Sequence, residues 1–575
     1  MNVNSTVTEQ NRKLLLSGGQ AAVKALEVEG VEHVFGLIGS STMEMFDALY
    51  DSKQIKYIGV RDERTGTHMA DAYARATGKP GVVLAGQSGP GATNLVTGLA
   101  QAYHAFSPVV AIAGSIASNH KYRDAFQEVD QQALFTPVTK KTWTVPRADR
   151  IPEMLQEAFR VSQTGRKGPV VLNIPRDIFA EINEYSAFLT PDQYMSASAP
   201  SGDLKQVEEA IKLLSQSEKP LIIAGAGVKW SRAQKDVLEL AERLNAPLAT
   251  AAGHGDAVPC DHPLYAGQVG PRGNVVATNL AREADVILAL GTRLGFNSTF
   301  YSYDNLNKDA KIIQVNIEPA SLSRYFPVSI GIYGDVGNVT RQLLQGLGNQ
   351  DSNSYVAQWT DQFHQNRNQL LDERERKGAV DANPNPIQPA QVFQALRNTL
   401  PKDAMYTLDA GTLCLQATDS LNYYQSPGLF TPLDFGLVGF SFAAGLGIKA
   451  AYPERTVVSL MGDGGFGMTM SEISTAVEAK LNTVTIVMNN HCWGAEKAYQ
   501  KDFFGERYIG ADVVNPRYDR VAEEFGAKGF RVEKAEDLEA TIEEALKANA
   551  PAIVDVQVDP NALYSFRRDS FQHRK

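Results

Sequence analysis

Asp463 stands in the run Gly462-Asp463-Gly464-Gly465-Phe466, and a second polar pair, Asn489-Asn490, follows it down the chain. Carboxylate and amide oxygens are hard donors that suit Mg2+ or Ca2+ better than zinc. Glycines at 464 and 465 let backbone N–H groups approach a phosphate where a helix starts. A cation with a diphosphate is the natural content of such a corner. A Gly-Asp-Gly triplet also occurs in ordinary surface turns, so its setting decides its meaning. Two further stretches could carry chemistry. Arg61-Asp62-Glu63-Arg64-Thr65-Gly66 holds two acids between arginines, and its plain reading is a solvated charge cluster at a helix N-terminus, where acids are common. Ser88-Gly89-Pro90-Gly91-Ala92-Thr93-Asn94 follows an apolar run, and turn chemistry alone explains its glycines and proline.

The elements around these residues favour a ligand site. Residues 456–461 form an apolar run into the glycines and read as a buried parallel strand. Residues 471–480 read as a helix, with apolar positions at Ile473, Ala476 and Val477, and 483–488 form a second β-rich run ending at Asn489-Asn490. Strand, glycine turn, helix and strand make a βαβ unit whose polar residues lie at the carboxyl ends of the strands, where open α/β sheets bind ligands. Upstream, a strand at 58–60 leads through Glu63 into a helix over 67–76.

Alternating strands and helices continue through three blocks separated by a Ser/Ala/Pro-rich linker at 196–202 and a Pro-rich stretch at 379–389. Strands are expected at 81–85, 109–113 and 170–174, then at 220–224, 286–290 and 311–315, then at 404–408 and 552–558. The fold class is α/β, with three doubly wound parallel-sheet domains over 12–190, 200–350 and 385–560 and a C-terminal tail over 561–575.

Composition narrows the function classes. The 575 residues are 43% apolar and 21% charged, as in a globular chain of several domains. A net charge of −10 without a dense Lys/Arg stripe argues against nucleic acid as a partner. Cys260, Cys414 and Cys492 are too few and too scattered for a disulfide framework, and fit a reducing cytoplasm. The polar first ten residues lack a signal-peptide core, and no window has the apolar length of a membrane helix. A cytoplasmic protein acting on small molecules, without membrane partners, is expected.

Gly462-Asp463-Gly464-Gly465 with Asn489-Asn490 resembles the thiamine diphosphate (ThDP) motif of the ThDP-dependent enzymes. The block order resembles the pyrimidine-binding, central and diphosphate-binding domains of the acetohydroxyacid synthase and pyruvate oxidase group, over nearly the whole chain. It includes Gly168-Pro169-Val170, Asn173-Ile174-Pro175-Arg176-Asp177 and Gly439-Phe440. The resemblance implies ThDP and Mg2+ as cofactors. The metal would be held by Asp463, Asn490 and the main-chain oxygen of Cys492, and Gly462, Gly464 and Gly465 would meet the cofactor. Glu63 becomes the carboxylate that activates the aminopyrimidine, with Asp62 as its rival one position early. Asn94 is implied beside the pyrimidine, Gly411 in a second diphosphate-side turn after Asp409, and Val438 at the apolar wedge that bends the cofactor. In this group the cofactor lies between subunits, which implies a homodimer or homotetramer.

Substrate choice lies in loops. Gly39-Ser40-Ser41-Thr42-Met43 replaces the Pro-Gly-Gly of acetohydroxyacid synthases, and Phe126-Gln127-Glu128-Val129-Asp130-Gln131 resembles a loop shared by several members. Cys492-Trp493-Gly494-Ala495-Glu496-Lys497 and Phe566-Arg567-Arg568-Asp569 are most similar to the sulfoacetaldehyde acetyltransferase branch. That branch would cleave sulfoacetaldehyde with phosphate to acetyl phosphate and sulfite. Ser40, His104, Gln127, Lys497, Arg567 and Arg568 are the candidate substrate residues, with Arg567-Arg568 equally readable as a solvated basic tail. Gln87-Ser88-Gly89-Pro90-Gly91 departs from the branch and looks more like the synthase loop. The alternatives are a carboligase or decarboxylase acting on a 2-oxoacid and, in a different class, a non-catalytic binder with this fold. Gly225-Ala226-Gly227 and Gly291-Thr292-Arg293 occur in FAD-using relatives, but such glycines also serve strand-to-helix turns, and FAD is not expected.

Overall fold

The computed structural model describes residues 13–186, 188–196, 198–348, 354–382 and 385–566. They form three six-stranded parallel sheets flanked by helices, plus an antiparallel pair, Leu14–Ser17 with Ile182–Tyr185. In the first sheet the strands lie in the order Lys56–Gly59, His33–Leu37, Gly81–Ala85, Val109–Ser115, Val170–Pro175, Lys141–Thr144. In the third the order is Leu429–Phe430, Met405–Leu408, Val457–Gly462, Val484–Asn489, Ala552–Gln557, Lys528–Val532. Numbered within each sheet along the chain, both orders are 2-1-3-4-6-5. The second sheet runs Tyr265–Gln268, Leu248–Thr250, Pro220–Ala224, Val286–Leu290, Lys311–Asn316, Ile330–Tyr333, which is the order 3-2-1-4-5-6.

Each sheet winds outward from its first strand and then doubles back, leaving a crevice at the carboxyl ends where the direction reverses. In the first sheet that point lies between His33–Leu37 and Gly81–Ala85, above Ser40 and Gln87. In the third it lies between Met405–Leu408 and Val457–Gly462, above Asp409 and Asp463. Helices cover both faces, so Gly81–Ala85, Val170–Pro175 and Val484–Asn489 are buried along their whole length. This explains their unbroken apolar runs.

Strands fall within a residue or two of their sequence-read limits. The helix expected from residue 67 starts earlier and spans Glu63–Thr77. Asp62 is its N-cap, its carboxylate accepting the Arg64 N–H at 2.8 Å, so the first turn closes around Glu63.

The chain divides into two compact units that do not follow the sequence blocks. One contains the first sheet together with Ala443–Pro453 and Ser471–Leu481; the other contains the second and third sheets. Among the described residues no helix is long and apolar enough to cross a membrane.

Candidate active site

In the first unit Glu63 is the opening residue of its helix and only 2% exposed, while Asp62 caps the helix and is half-buried. Asn94, on the helix Pro90–His104, donates to Glu63 Oε2 at 3.0 Å. The other oxygen faces Gly91, where an added Cβ would lie 2.8 Å from Glu63 Oε1. A larger residue there would push the carboxylate aside. Burial raises the Glu63 carboxyl above its ordinary value, and the Asn94 hydrogen bond offsets only part of the rise. Such a group takes up and releases a proton more readily near neutral pH than a solvated carboxylate.

A chain of polar side chains continues from this acid. Gln87, whose Cβ lies beside Gly91, accepts at Oε1 from the Ser40 N–H at 2.9 Å and the Ser40 hydroxyl at 3.2 Å. Its amide donates to Gln127 Oε1, which also accepts from Ser88 Oγ at 3.4 Å. Three loops far apart in sequence therefore meet, and Ser40 and Gln127 stand together with Gln87. His104 does not join them. It is exposed at the far end of the helix that carries Asn94, about 15 Å along the axis at 1.5 Å per residue. The structure thus places His104, one of the candidate substrate residues, at the opposite end of its helix from Asn94.

The 61–65 segment is held by a residue that sequence reasoning missed. Glu472, fully buried on the helix Glu472–Ala479, accepts from the Arg61 N–H at 3.0 Å and from the Thr65 hydroxyl at 2.6 Å, on either side of Glu63. It also accepts from Thr475 at 2.6 Å.

In the second unit Asp463, Asn490 and Cys492 are all buried. Asp463 Oδ2 accepts from Asn515 Nδ2 at 2.6 Å, and the Asp463 carbonyl accepts from the Tyr518 hydroxyl at 3.0 Å. Asn515 also donates to Asn489 Oδ1 at 3.1 Å, tying the two halves of the motif together. Burial raises the Asp463 carboxyl, and the amide hydrogen bonds compensate incompletely. Asn515 and Tyr518 carried no signal beyond a polar residue before Pro516 and an aromatic on a short helix. The loop after Asn490 is strapped in place: the Trp493 N–H donates to Ala511 O at 2.7 Å and the Val513 N–H to His491 O at 2.9 Å. The Trp493 ring covers Gly464 so closely that an added Cβ would lie 2.6 Å from it.

Three helices begin at this corner, Asp463–Gly467, Thr412–Ser420 and Gly494–Phe503. Gly411, at φ +136°, precedes the second. A Cβ on Gly494 would lie 3.2 Å from Asn490 Nδ2 and 3.5 Å from Thr412 Oγ1, so these starts adjoin. Asp409 accepts from the Gly439 and Phe440 N–H groups at 3.0 and 2.9 Å, and burial pushes it up to about 6. Those bonds place Val438 within 3.3 Å of a Cβ position on Gly465.

The donor set suits ThDP and its metal. A desolvated carboxylate seeks a cation. The Asn490 amide and the Cys492 carbonyl add hard oxygens, which is Mg2+ chemistry. Among the described residues no group of three or more His, Cys, Asp or Glu side chains could hold a metal. Converging helix starts offer main-chain N–H groups to a diphosphate.

Lys497 is engaged elsewhere: its ammonium donates to Asp512 at 2.6 Å and lies 5.4 Å from the Tyr508 ring. Arg567 and Arg568 lie outside the described residues. Phe566, just before them, packs on Arg272 at 4.7 Å and on Tyr499 at 6.0 Å. In the second sheet, a Cβ on Gly227 would lie 2.6 Å from the Gly291 Cα, so the close crossing of two turns calls for glycine at both positions.

These features agree with three matches along the chain: the thiamine pyrophosphate enzyme N-terminal TPP binding domain over 16–134, the central domain over 207–343, and the C-terminal TPP binding domain over 409–556. The chain belongs to the ThDP-dependent enzymes, in the acetohydroxyacid synthase and pyruvate oxidase group. It is 34% identical over 556 residues to the acetolactate synthase large subunit of Haemophilus influenzae, covering 95% of each chain. It is 32% identical over 590 residues to the sulfoacetaldehyde acetyltransferase of Alcaligenes xylosoxydans xylosoxydans, covering 97% of each. A probable acetolactate synthase large subunit of Methanocaldococcus jannaschii is 33% identical over 555 residues, 95% of this chain and 92% of the relative.

Proposed function

We propose that this enzyme cleaves sulfoacetaldehyde with phosphate, releasing acetyl phosphate and sulfite, with ThDP and Mg2+ as cofactors. The packing of Phe566 against Tyr499 carries the reading. Phe566, which opens one of two segments separately similar to the acetyltransferases, packs on the helix Gly494–Phe503, which carries most of the other, 492–497. A sulfonate and a phosphate are both oxyanions, and the two arginines that follow Phe566 in the sequence suit them chemically.

When bound, ThDP supplies a nucleophilic carbon and an electron sink for a substrate carbonyl. Asp463, Asn490 and the Cys492 carbonyl would hold Mg2+, and the N–H groups at Gly464 and Gly465 would meet the diphosphate. Val438 is the apolar support. Glu63 would hold or release the proton exchanged with the pyrimidine, and Asn94 fixes the orientation of its carboxylate. The Ser40–Gln87–Gln127 chain offers a hydroxyl and amides to the substrate. A homodimer or homotetramer completes the site, as the group's subunit arrangement implies.

A second reading, a carboligase acting on a 2-oxoacid, is favoured by Gln87, which anchors the substrate loops and belongs to a synthase-like stretch. It draws equally on relatives named acetolactate synthase. Incubation with sulfoacetaldehyde and phosphate separates the two. Equimolar sulfite and acetyl phosphate are expected. Their absence, with pyruvate converted to acetolactate, replaces the first reading by the second. No turnover of either substrate despite bound ThDP leaves a binder.

A further inference from the structure

The second unit contains a cavity of about 380 Å³ apart from the Asp463 corner. The two share the helix Thr412–Ser420, but the corner uses its first residue and the cavity is lined only from Leu415 onward. Its walls come from the loop before Val275–Glu283, the end of Ser354–Gly378, the helix Pro389–Thr399, and the segment at Tyr564 and Phe566. Arg272, Arg374, Lys377 and Arg397 line it against Glu373 and Asp419.

The two acids do not balance the four cations. Asp419 is already engaged: it pairs with Arg374 and accepts from the Gln268 N–H at 2.9 Å and from Asn274 Nδ2 at 3.1 Å. Glu373 pairs with Lys377 at 2.6 Å on an exposed helix turn, where such a bond contributes little. Arg397 donates to neutral acceptors, the Ser420 carbonyl at 2.6 Å and the Gln394 amide. Its guanidinium is held below its ordinary value, first by burial and then by repulsion from Arg374. Phe566 closes one side by stacking on Arg272, and Phe393 adds an apolar wall. The volume is that of a small-ligand pocket, far from the size of a macromolecular groove. The chain's own last residues, 567–575, carry four Lys/Arg and one Asp, the wrong sign to fill a cationic cavity.

We infer that this cavity is an ancillary binding site for a doubly charged phosphate group, free or as a small phosphate ester. Its charge offsets the Arg374–Arg397 repulsion, and the planar fork of each arginine matches its oxygens. An ester's remaining body lies against Phe393 and Phe566. The site shares Phe566 with the reading proposed above but rests on Arg374, Lys377 and Arg397, which that reading does not use.

The test is calorimetric titration of the holoenzyme, saturated with ThDP and Mg2+ so that the corner is filled, with inorganic phosphate and separately with adenosine 5′-monophosphate. Binding is expected that weakens at least about tenfold, or ~1.4 kcal/mol, in Arg397→Gln and by a smaller factor in Lys377→Gln. Because Arg397 also caps the helix end at Ser420, its variant can unfold; Lys377, exposed and weakly paired, then decides the matter. Tighter binding of the monophosphate than of phosphate identifies the ester, and the reverse identifies free phosphate. No heat from either ligand up to about 10 mM, or affinities unchanged in the folded variants, overturns the inference.

Discussion

The first and third sheets share one strand order, and in both the chain reverses between its first and third strands. At the end of the third strand one sheet places Gly86-Gln87-Ser88-Gly89 and the other Gly462-Asp463-Gly464-Gly465. The crevice is the same feature twice, yet the chemistry differs. In the first sheet the acid comes from elsewhere, Glu63 after the edge strand, with Asn94 as a side-chain donor and a raised carboxyl pKa. That arrangement suits a group that exchanges a proton. In the third sheet Asp463 lies among Asn489, Asn490 and Asn515. The Asn515 amide N–H holds this carboxylate in place, and a desolvated carboxylate suits a cation. Topology supplies the place, and a few side chains decide whether it handles a proton or a metal.

Removing the third sheet's acid should have the largest effect. Asp463→Ala deletes the charged ligand, and the neutral oxygens of Asn490 and Cys492 cannot replace it. Mg2+-dependent ThDP binding, followed by calorimetry, should fall by orders of magnitude. Unchanged binding would detach the metal from this corner.

Removing the first sheet's acid should spare binding and stop chemistry. Glu63→Gln keeps the shape and can still accept from Asn94, while exchange at the reactive carbon and turnover should fall roughly 10²–10⁴-fold. The wild-type acid limb of the rate should lie above the ordinary Glu value, because in the proposed reaction ionised Glu63 is the base and burial raises its pKa. Stability carries the same sign. Neutral Glu63 contributes fully below the unfolded value, and that contribution is lost as pH rises through the raised folded value. Glu63→Gln should therefore melt at a higher temperature than wild type above that pH, with the gap closing in acid. Asp62→Asn should leave exchange nearly intact, since Asp62 caps the helix. A crippled Asp62→Asn beside an active Glu63→Gln would exchange their roles.

The two regions also differ in how far they could be read from sequence. Although Asn515, which ties its two halves together, left no signal, the Asp463 corner is local: strand, glycine turn, helix and strand lie within one stretch. Three parallel sheets were legible for the same reason, because fully buried strands leave unbroken apolar runs. The Glu63 region is assembled from distant segments. Nothing near residue 472 announces that its carboxylate receives the Arg61 N–H and the Thr65 hydroxyl. Gln87 looked like a departure from a loop pattern, yet it joins Ser40 to Gln127. His104 went the other way. It is close to Asn94 in sequence, but helical rise carries it off. The extra helical turn at Glu63 depended on Asp62 acting as a cap, a choice made by one side-chain bond.

A smaller displacement sharpens the contrast. Gly91→Ala introduces a methyl 2.8 Å from Glu63 Oε1, so the carboxylate must shift while Asn94 and the acid remain. A misplacement of that order costs roughly 10²-fold in rate. ThDP affinity should barely change, because the third sheet is untouched. Pre-steady-state exchange measured beside ThDP titration checks this. A loss of affinity equal to the loss of rate would mean that the first sheet contributes binding as well as proton transfer.

The smallest effect belongs to the tail. Phe566 is held by the Arg272 guanidinium and the Tyr499 ring, contacts worth about 0.5–1 kcal/mol each at partly exposed sites. They are enough to keep the start of the tail on the helix Gly494–Phe503 without being needed for the fold, whose last strand ends at Gln557. Truncation before Phe566 should leave the melting temperature close to wild type. It should raise the apparent KM for phosphate or sulfoacetaldehyde at least about tenfold, ~1.4 kcal/mol, with kcat less affected, as expected when uniform substrate binding is removed. Phe566→Ala, which keeps Arg567 and Arg568 but releases their anchor, should fall between truncation and wild type. That graded series distinguishes held charge from charge merely present. If both variants show wild-type KM values for both substrates, the arginines are a solvated basic tail, and oxyanion recognition falls to the Ser40–Gln87–Gln127 loops of the first sheet.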